Sequence, residues 1–187
     1  MKQPLSADLP FAEGYVLPID KPLGWTSSDV VRKIKVMMRR LGHRKIKVGH
    51  AGTLDPLATG ILIVCLGRAT KQAEALQAQP KEYLTTLALG ATTPSFDMEH
   101  PVDRTFPYEH ITRQMLEEAL RTMEGEQMQL PPVYSAKSID GKRAYEYARQ
   151  GTEVEMRRAP VTVYGMRLES FEPPRATLRI RCSKGTY

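Results

Sequence analysis

Between Arg175 and Ser183 the chain alternates strictly. Ala176, Leu178, Ile180 and Cys182 are small or apolar, and Thr177, Arg179, Arg181 and Ser183 are polar or basic. A period of two puts the two sets on opposite faces of a strand, one buried and one basic, and fixes its register. Other apolar runs read as strands at residues 14–20, 61–66, 82–89 and 161–171, the last joined to the alternating strand by Pro173-Pro174. Helical spacing appears after Thr26, where Val30, Val31, Ile34, Met37 and Met38 share a face. Further helices are expected at 70–79, from Thr112 to a stop at Gly125, and at 142–150. Strands and helices do not alternate regularly, so the expected class is α+β with a mixed sheet, not a doubly wound one.

A length of 187 residues suits one domain with a real core, and 41% hydrophobic with 26% charged residues is ordinary for a globular chain. The expected organisation is a loose leader over 1–12 and one unit over 13–187, with a protruding excursion at about 126–160. Lys and Arg outnumber Asp and Glu 27 to 21, a net charge of +6, which favours anionic partners. The excess is concentrated. From Val30 to Leu54 there is no acidic residue, while Arg32, Lys33, Lys35, Arg39, Arg40, Arg44, Lys45 and Lys47 fall inside. The helix there thus has a core side and a basic side, either a solvated face or a phosphate-facing one.

Cys65 and Cys182 stand alone in apolar or alternating runs and have no metal-ligand spacing, which points to buried, reduced thiols. No segment approaches a membrane span of about 18 apolar residues, and the expected location is cytoplasmic.

The segment 48–60 is rich in Gly and Thr and reads as a loop. Asp55-Pro56 within it has a structural explanation, since Asp caps helices and Pro suits a first helical position. His50 reads equally as a hydrogen-bonded loop histidine. The glycines at 49, 52 and 60 make no phosphate-binding loop, because the Lys and Ser or Thr that should follow are absent. Tyr83 fits an ordinary strand aromatic. Trp25 and the group Asp97, Glu99, His100 and Asp103 read as solvated surface.

The segment from Gly49 to Gly60, Gly-His-Ala-Gly-Thr-Leu-Asp-Pro-Leu-Ala-Thr-Gly, resembles the signature of the TruB family of RNA pseudouridine synthases. Further blocks follow the family's order: Asp20-Lys21-Pro22 with Gly24 to Ser27, residues 66–71, Lys81-Glu82-Tyr83, residues 131–137, residues 141–149, and Cys182 to Tyr187. Together they cover nearly everything from Gly14 onward.

The resemblance implies the pseudouridine-synthase fold, with a mainly antiparallel sheet flanked by helices. It implies isomerisation of the T-loop uridine at position 55 of tRNA without metal or cofactor. Matched position by position, Asp55 is the catalytic carboxylate, held near C1′ as carboxylates are in glycoside hydrolysis. His50 fills the gap left by a flipped base, the uracil stacks on Tyr83, Tyr187 lines the pocket, and Lys21 supports the loop. Lys137, Arg143 and Arg149 become phosphate contacts on the gripping excursion. The partner implied is a tRNA T-stem-loop, with no obligate protein partner. Family chains continue past the Lys-Gly-Thr-Tyr block into more sheet and a small RNA-binding domain. This chain is therefore expected to be incomplete at its C-terminus and inactive alone. The rival readings are a guide-RNA-dependent synthase, a non-catalytic tRNA-binding or folding module, and a base-releasing glycosylase.

Overall fold

The computed structural model describes residues 9–135, 137–139, 141–144, 147, 150, 152 and 154–187. Its contacts cluster into two compact units, Met1–Ala78 and Gln79–Tyr187.

The first unit runs β1 (Tyr15–Lys21), α1 (Ser27–Arg40), β2 (Val48–His50), β3 (Gly60–Leu66), a 3-10 turn (Gly67–Gln72) and α2 (Ala73–Ala78). The strands form an antiparallel sheet in the order β1-β3-β2. Helix α1 starts where the sequence can cap it. The Thr26 hydroxyl accepts the Asp29 N–H at 3.0 Å, and the Asp29 carboxylate accepts the Thr26 N–H at 2.9 Å. Val30, Ile34 and Met38, four residues apart, pack with Leu62, Val64 and Leu66 of β3. The helix ends at Arg40, and Gly42 turns the chain with a φ of +89°.

Two expectations are corrected here. The leader is not loose over residues 9–12. Phe11 is fully buried against Tyr15 and His43, each ring 5.2 Å away. Ala12 accepts the N–H of Arg68 at 3.1 Å, and Gly67 passes the Phe11 and Ala12 backbone too closely for any Cβ. Burying one aromatic side chain is worth about 1.5–3 kcal/mol, enough to override a polar, proline-bearing neighbourhood. Second, the segment 48–60 is not loop throughout. Val48–His50 pairs with Cys65 and its neighbours on β3, a long-range pairing that a three-residue stretch does not advertise.

The second unit contains β4 (Lys81–Ala88), β5 (Ala91–Thr92), β6 (Arg104–Thr105), α3 (Arg113–Thr122), β7 (Gly125–Gln129), β8 (Ser138–Ile139), β9 (Lys142–Arg143), β10 (Ala159–Glu172) and β11 (Arg175–Cys182). Its main sheet is antiparallel in the order β4-β11-β10-β7. The alternation of β11 is realised: Ala176, Leu178 and Cys182 are buried. On the other face Arg179 donates to Glu169 at 2.6 Å and to Glu82 at 2.8 Å, and Thr177 meets Thr86 at 3.1 Å. Burial pushes the thiols of both Cys65 and Cys182 up.

The excursion also needs correction. Its first residues form β7, paired from Gly125↔Val163 to Gln129↔Ala159. Gly, Glu and Gln have little β-propensity, so the ladder to β10 makes this strand, not its composition. Lys142 and Arg143 begin no helix; they pair with Ile139 and Ser138 in a short hairpin turned by Gly141 at φ +85°. Of the helix expected over 142–150, Ala144 and Tyr147 are helical, and residues 145, 146, 148 and 149 lie outside the described residues. The irregular span 91–107 holds the small β5–β6 ribbon. Among the described residues, no helix is long and apolar enough to cross a membrane.

Candidate active site

Asp55 is exposed, in the loop between β2 and β3. Its carbonyl accepts the Ala58 N–H at 3.0 Å, so Asp55-Pro56 opens a tight turn and not a helix. The residues on either side of it are fastened to the segment from β1 to the start of α1. Ahead of it, the Leu54 N–H donates to the Ser27 hydroxyl at 2.9 Å, and that hydroxyl donates to the Leu54 carbonyl at 3.0 Å. Behind it, the Pro56 carbonyl accepts the Gly24 N–H at 2.8 Å and the Lys21 ammonium at 3.4 Å.

Lys21 is fully buried at the end of β1. Its ammonium also donates to the carbonyls of Trp25 at 2.6 Å and Pro22 at 3.0 Å. A buried cation persists only when such acceptors replace its water. Ser27, 3% exposed, is the first residue of α1. The turn capped by Thr26 therefore also sets where Leu54 sits. Asp29, which completes that cap, is held down to about 2, first by the Thr26 hydroxyl and then by Arg32. The negative charge is thus secured at the positive end of α1.

His50 closes β2 opposite Val64, and the next residue, Ala51, donates its N–H to Ile63 at 2.8 Å. The His50 ring turns back on its own loop, with Nδ1 2.5 Å from the Gly52 carbonyl. Gly52, at φ +109°, takes the conformation this return requires. Lys21, His50 and Asp55 thus belong to one unit, and Lys21 touches the residue that follows Asp55.

The remaining candidates lie in the second unit. Tyr83, on β4, pairs with Ile180 and is 39% exposed. It shares a strand with Lys81, whose pKa is lowered by burial and by repulsion from Lys184, against an opposing pull from Cys182. Tyr187 follows β11 and is 56% exposed. Its N–H donates to the Gln129 side-chain oxygen at 3.0 Å, and the Gln129 amide donates to the Gly185 carbonyl at 3.2 Å. Tyr83 therefore sits on one edge strand of the sheet, and Tyr187 is tied to the other. Lys137 donates to the Arg157 carbonyl at 2.9 Å. Arg143 lies on β9, and Arg149 is outside the described residues.

Sequence reasoning missed Ser27 and Gln129 as holders of candidate residues. Ser27 was legible only as part of the block from Gly24 to Ser27, and Gln129 only as part of the excursion at about 126–160. Among the described residues no three His, Cys, Asp or Glu side chains gather as metal ligands.

Residues 39–187 match the model of the TruB family pseudouridylate synthase, N-terminal domain. The tRNA pseudouridine synthase B of Phocaeicola vulgatus is 54% identical over 178 residues, covering 95% of this chain and 76% of that protein. The protein of the same name from Flavobacterium johnsoniae is 46% identical over 179 residues, 95% of this chain and 78% of that one. Among solved structures, "Crystal Structure of a Cbf5-Nop10-Gar1 Complex" superposes with a TM-score of 0.69 at 26% identity. That likeness takes in 98% of this chain and 43% of the other.

Proposed function

This chain belongs to the TruB family of pseudouridylate synthases, and from that premise we propose that it isomerises the T-loop uridine at position 55 of tRNA through Asp55. The family membership makes it a tRNA pseudouridine synthase with the fold of that class, as the sequence reading expected. The observation that carries the finer reading is the fastening of Leu54 and Pro56. A catalytic carboxylate must meet its target within a few tenths of an ångström, and effective molarity falls steeply when it wanders. Here both neighbours of Asp55 are held by groups distant in sequence, while the residue itself faces solvent.

The reaction breaks the bond from N1 to C1′, turns the uracil, and forms a bond from C5 to C1′. C5 loses its hydrogen and N1 gains one, so no atom or electron is supplied from outside and no cofactor is called for. The Asp55 carboxylate acts on the electron-poor sugar or on the base ring. The uridine must leave its stack at a cost of a few kcal/mol. His50 fills the gap, Tyr83 supplies a face for the uracil, worth about 1–3 kcal/mol, and Tyr187 lines the pocket as a proton-transferring group. Lys21 supports the loop, and Lys137, Arg143 and Arg149 contact phosphates. We place the protein in the cytoplasm, acting on tRNA without an obligate protein partner.

The matched structure is of a complex with Nop10 and Gar1, and a guide-RNA-dependent synthase is the alternative reading. Incubating the full-length protein with a bare T-stem-loop RNA separates the readings. The proposal expects pseudouridine in an RNA of unchanged mass, with no guide added. Free uracil would indicate a glycosylase, and binding without conversion a non-catalytic module; either outcome defeats the proposal.

A further inference from the structure

Resting on the tRNA reading above, we infer that the outer face of α1 and the loop after it form a track for the phosphodiester backbone of the RNA substrate. The core side of α1 buries Val30, Val31, Ile34 and Met38. Lys33, Lys35, Arg39 and Arg40 are consequently exposed. The chain continues into Arg44 and Lys45, and these two line a shallow groove with Lys35, Arg39, His43 and Ile46.

Among the described residues, most of the charges on this face are unopposed. Arg32, on the second turn, is paired with Asp29. Among the described residues, Lys33, Lys35, Arg39, Arg40, Arg44 and Lys45 have no ion-pair partner. Lys35 and Arg39 are like-charged at i,i+4, an arrangement that destabilises an isolated helix. Helix α3 solves the same problem conventionally: Arg113 pairs with Glu117, and Gln114 with Glu118, each four residues on. Helix α1 gives up that stabilisation, and a polyanion laid along it restores it.

Position and length fit the same occupant. The helix begins at Ser27, whose hydroxyl holds the residue before Asp55, so the cations start within two turns of that anchor. Fourteen residues at 1.5 Å rise extend about 20 Å, room for several consecutive phosphates. Lys and Arg contacts of this kind set register on the backbone and carry no base information. Among the described residues of α1, Val36 is the exposed large apolar side chain on this face, with Trp25 just ahead of the helix, whereas an interfacial helix enters lipid through a continuous apolar face.

The test uses full-length protein carrying Lys33→Gln, Lys35→Gln, Arg39→Gln and Arg40→Gln together, titrated with T-stem-loop RNA over a range of salt. Neutralising four contacts should weaken binding about 10- to 100-fold at low salt and cut the log-log salt slope by about 3. The single-turnover rate at saturating RNA should remain within about twofold of wild type. The pair Lys33→Gln with Arg40→Gln should give about half the slope change, and Arg113→Gln with Arg121→Gln on α3 should give none. An unchanged affinity and slope in the quadruple variant overturns the track, including the case where binding to phosphatidylserine vesicles is lost instead. So does an equal loss in the α3 control. Slope is read from binding alone, so a wild-type protein that forms no pseudouridine would sink the functional reading and leave this one standing or falling by itself.

Discussion

Residues 51–59 and residues 93–103 are both loops containing Thr, Pro and an aspartate, with a histidine at hand: His50 beside the first, His100 within the second. In the second loop the bonds around Asp97 are local. Asp97 accepts the Ser95 hydroxyl at 2.6 Å and the Glu99 N–H at 3.0 Å, its carbonyl accepts the Thr93 hydroxyl at 2.6 Å, and His100 meets Ser95 at 3.0 Å. These partners of Asp97 are all within four residues, so its carboxylate is engaged in shaping its own turn, although His100 also meets the Tyr134 ring at 5.0 Å and Asp103 accepts the Thr92 hydroxyl at 2.7 Å. In the first loop the holding groups, Ser27 and Lys21, come from 27 and 35 residues away, and they grip the neighbours of Asp55. Local bonds satisfy a loop's own backbone. Long-range bonds fix one residue against a core, as a reacting group requires.

If that contrast is right, breaking the long-range grip should matter far more than breaking the local one. The largest effect is expected from Lys21→Met, which keeps the apolar stem and removes the ammonium. Buried carbonyls left without their charged donor should cost roughly 2–4 kcal/mol of stability, read from the urea midpoint, along with most of the activity. Ser27→Ala is expected to be milder in stability, at about 1–3 kcal/mol, because it strands only the Leu54 N–H and carbonyl. Its signature is kinetic. Loosening the residue before Asp55 should lower kcat about 10- to 100-fold with little change in KM, and Ser27→Thr, which retains the hydroxyl, should recover most of it. The smallest effect belongs to Asp97→Asn. The amide oxygen still accepts both local bonds, so stability should shift by less than about 0.5 kcal/mol and kcat should not change. A kcat loss there as large as in Ser27→Ala would erase the distinction between the loops.

Much of this was legible in the residues. The period of two in β11 foretold its buried line, and the spacing of Val30, Ile34 and Met38 foretold the core side of α1. The helical spacing after Thr26 and the helix expected from Thr112 placed the starts of α1 and α3. What escaped was made by partners distant in sequence. Phe11 looked like leader until the core closed over it. Gly125–Gln129 became a strand only through β10, and Val48–His50 only through β3. The candidate site divides the same way. Asp55, His50, Tyr83, Tyr187 and Lys21 were named through resemblance, but neither spacing nor composition indicates that Ser27 holds Leu54 or that Gln129 holds the backbone at Tyr187. A side chain bonding to a remote backbone leaves no periodic trace.

The central claim is that the Asp55 carboxylate performs the chemistry and contributes little to holding RNA. The most direct measurement places Asp55→Asn full-length protein with a T-stem-loop RNA labelled with tritium at uridine C5, following tritium release and RNA affinity together. Forming the bond from C5 to C1′ must expel that hydrogen. The expected result is release slowed on the order of 10⁴-fold, with Kd within about twofold of wild type. Release at the wild-type rate, or a loss of binding that by itself accounts for lost release, would contradict it.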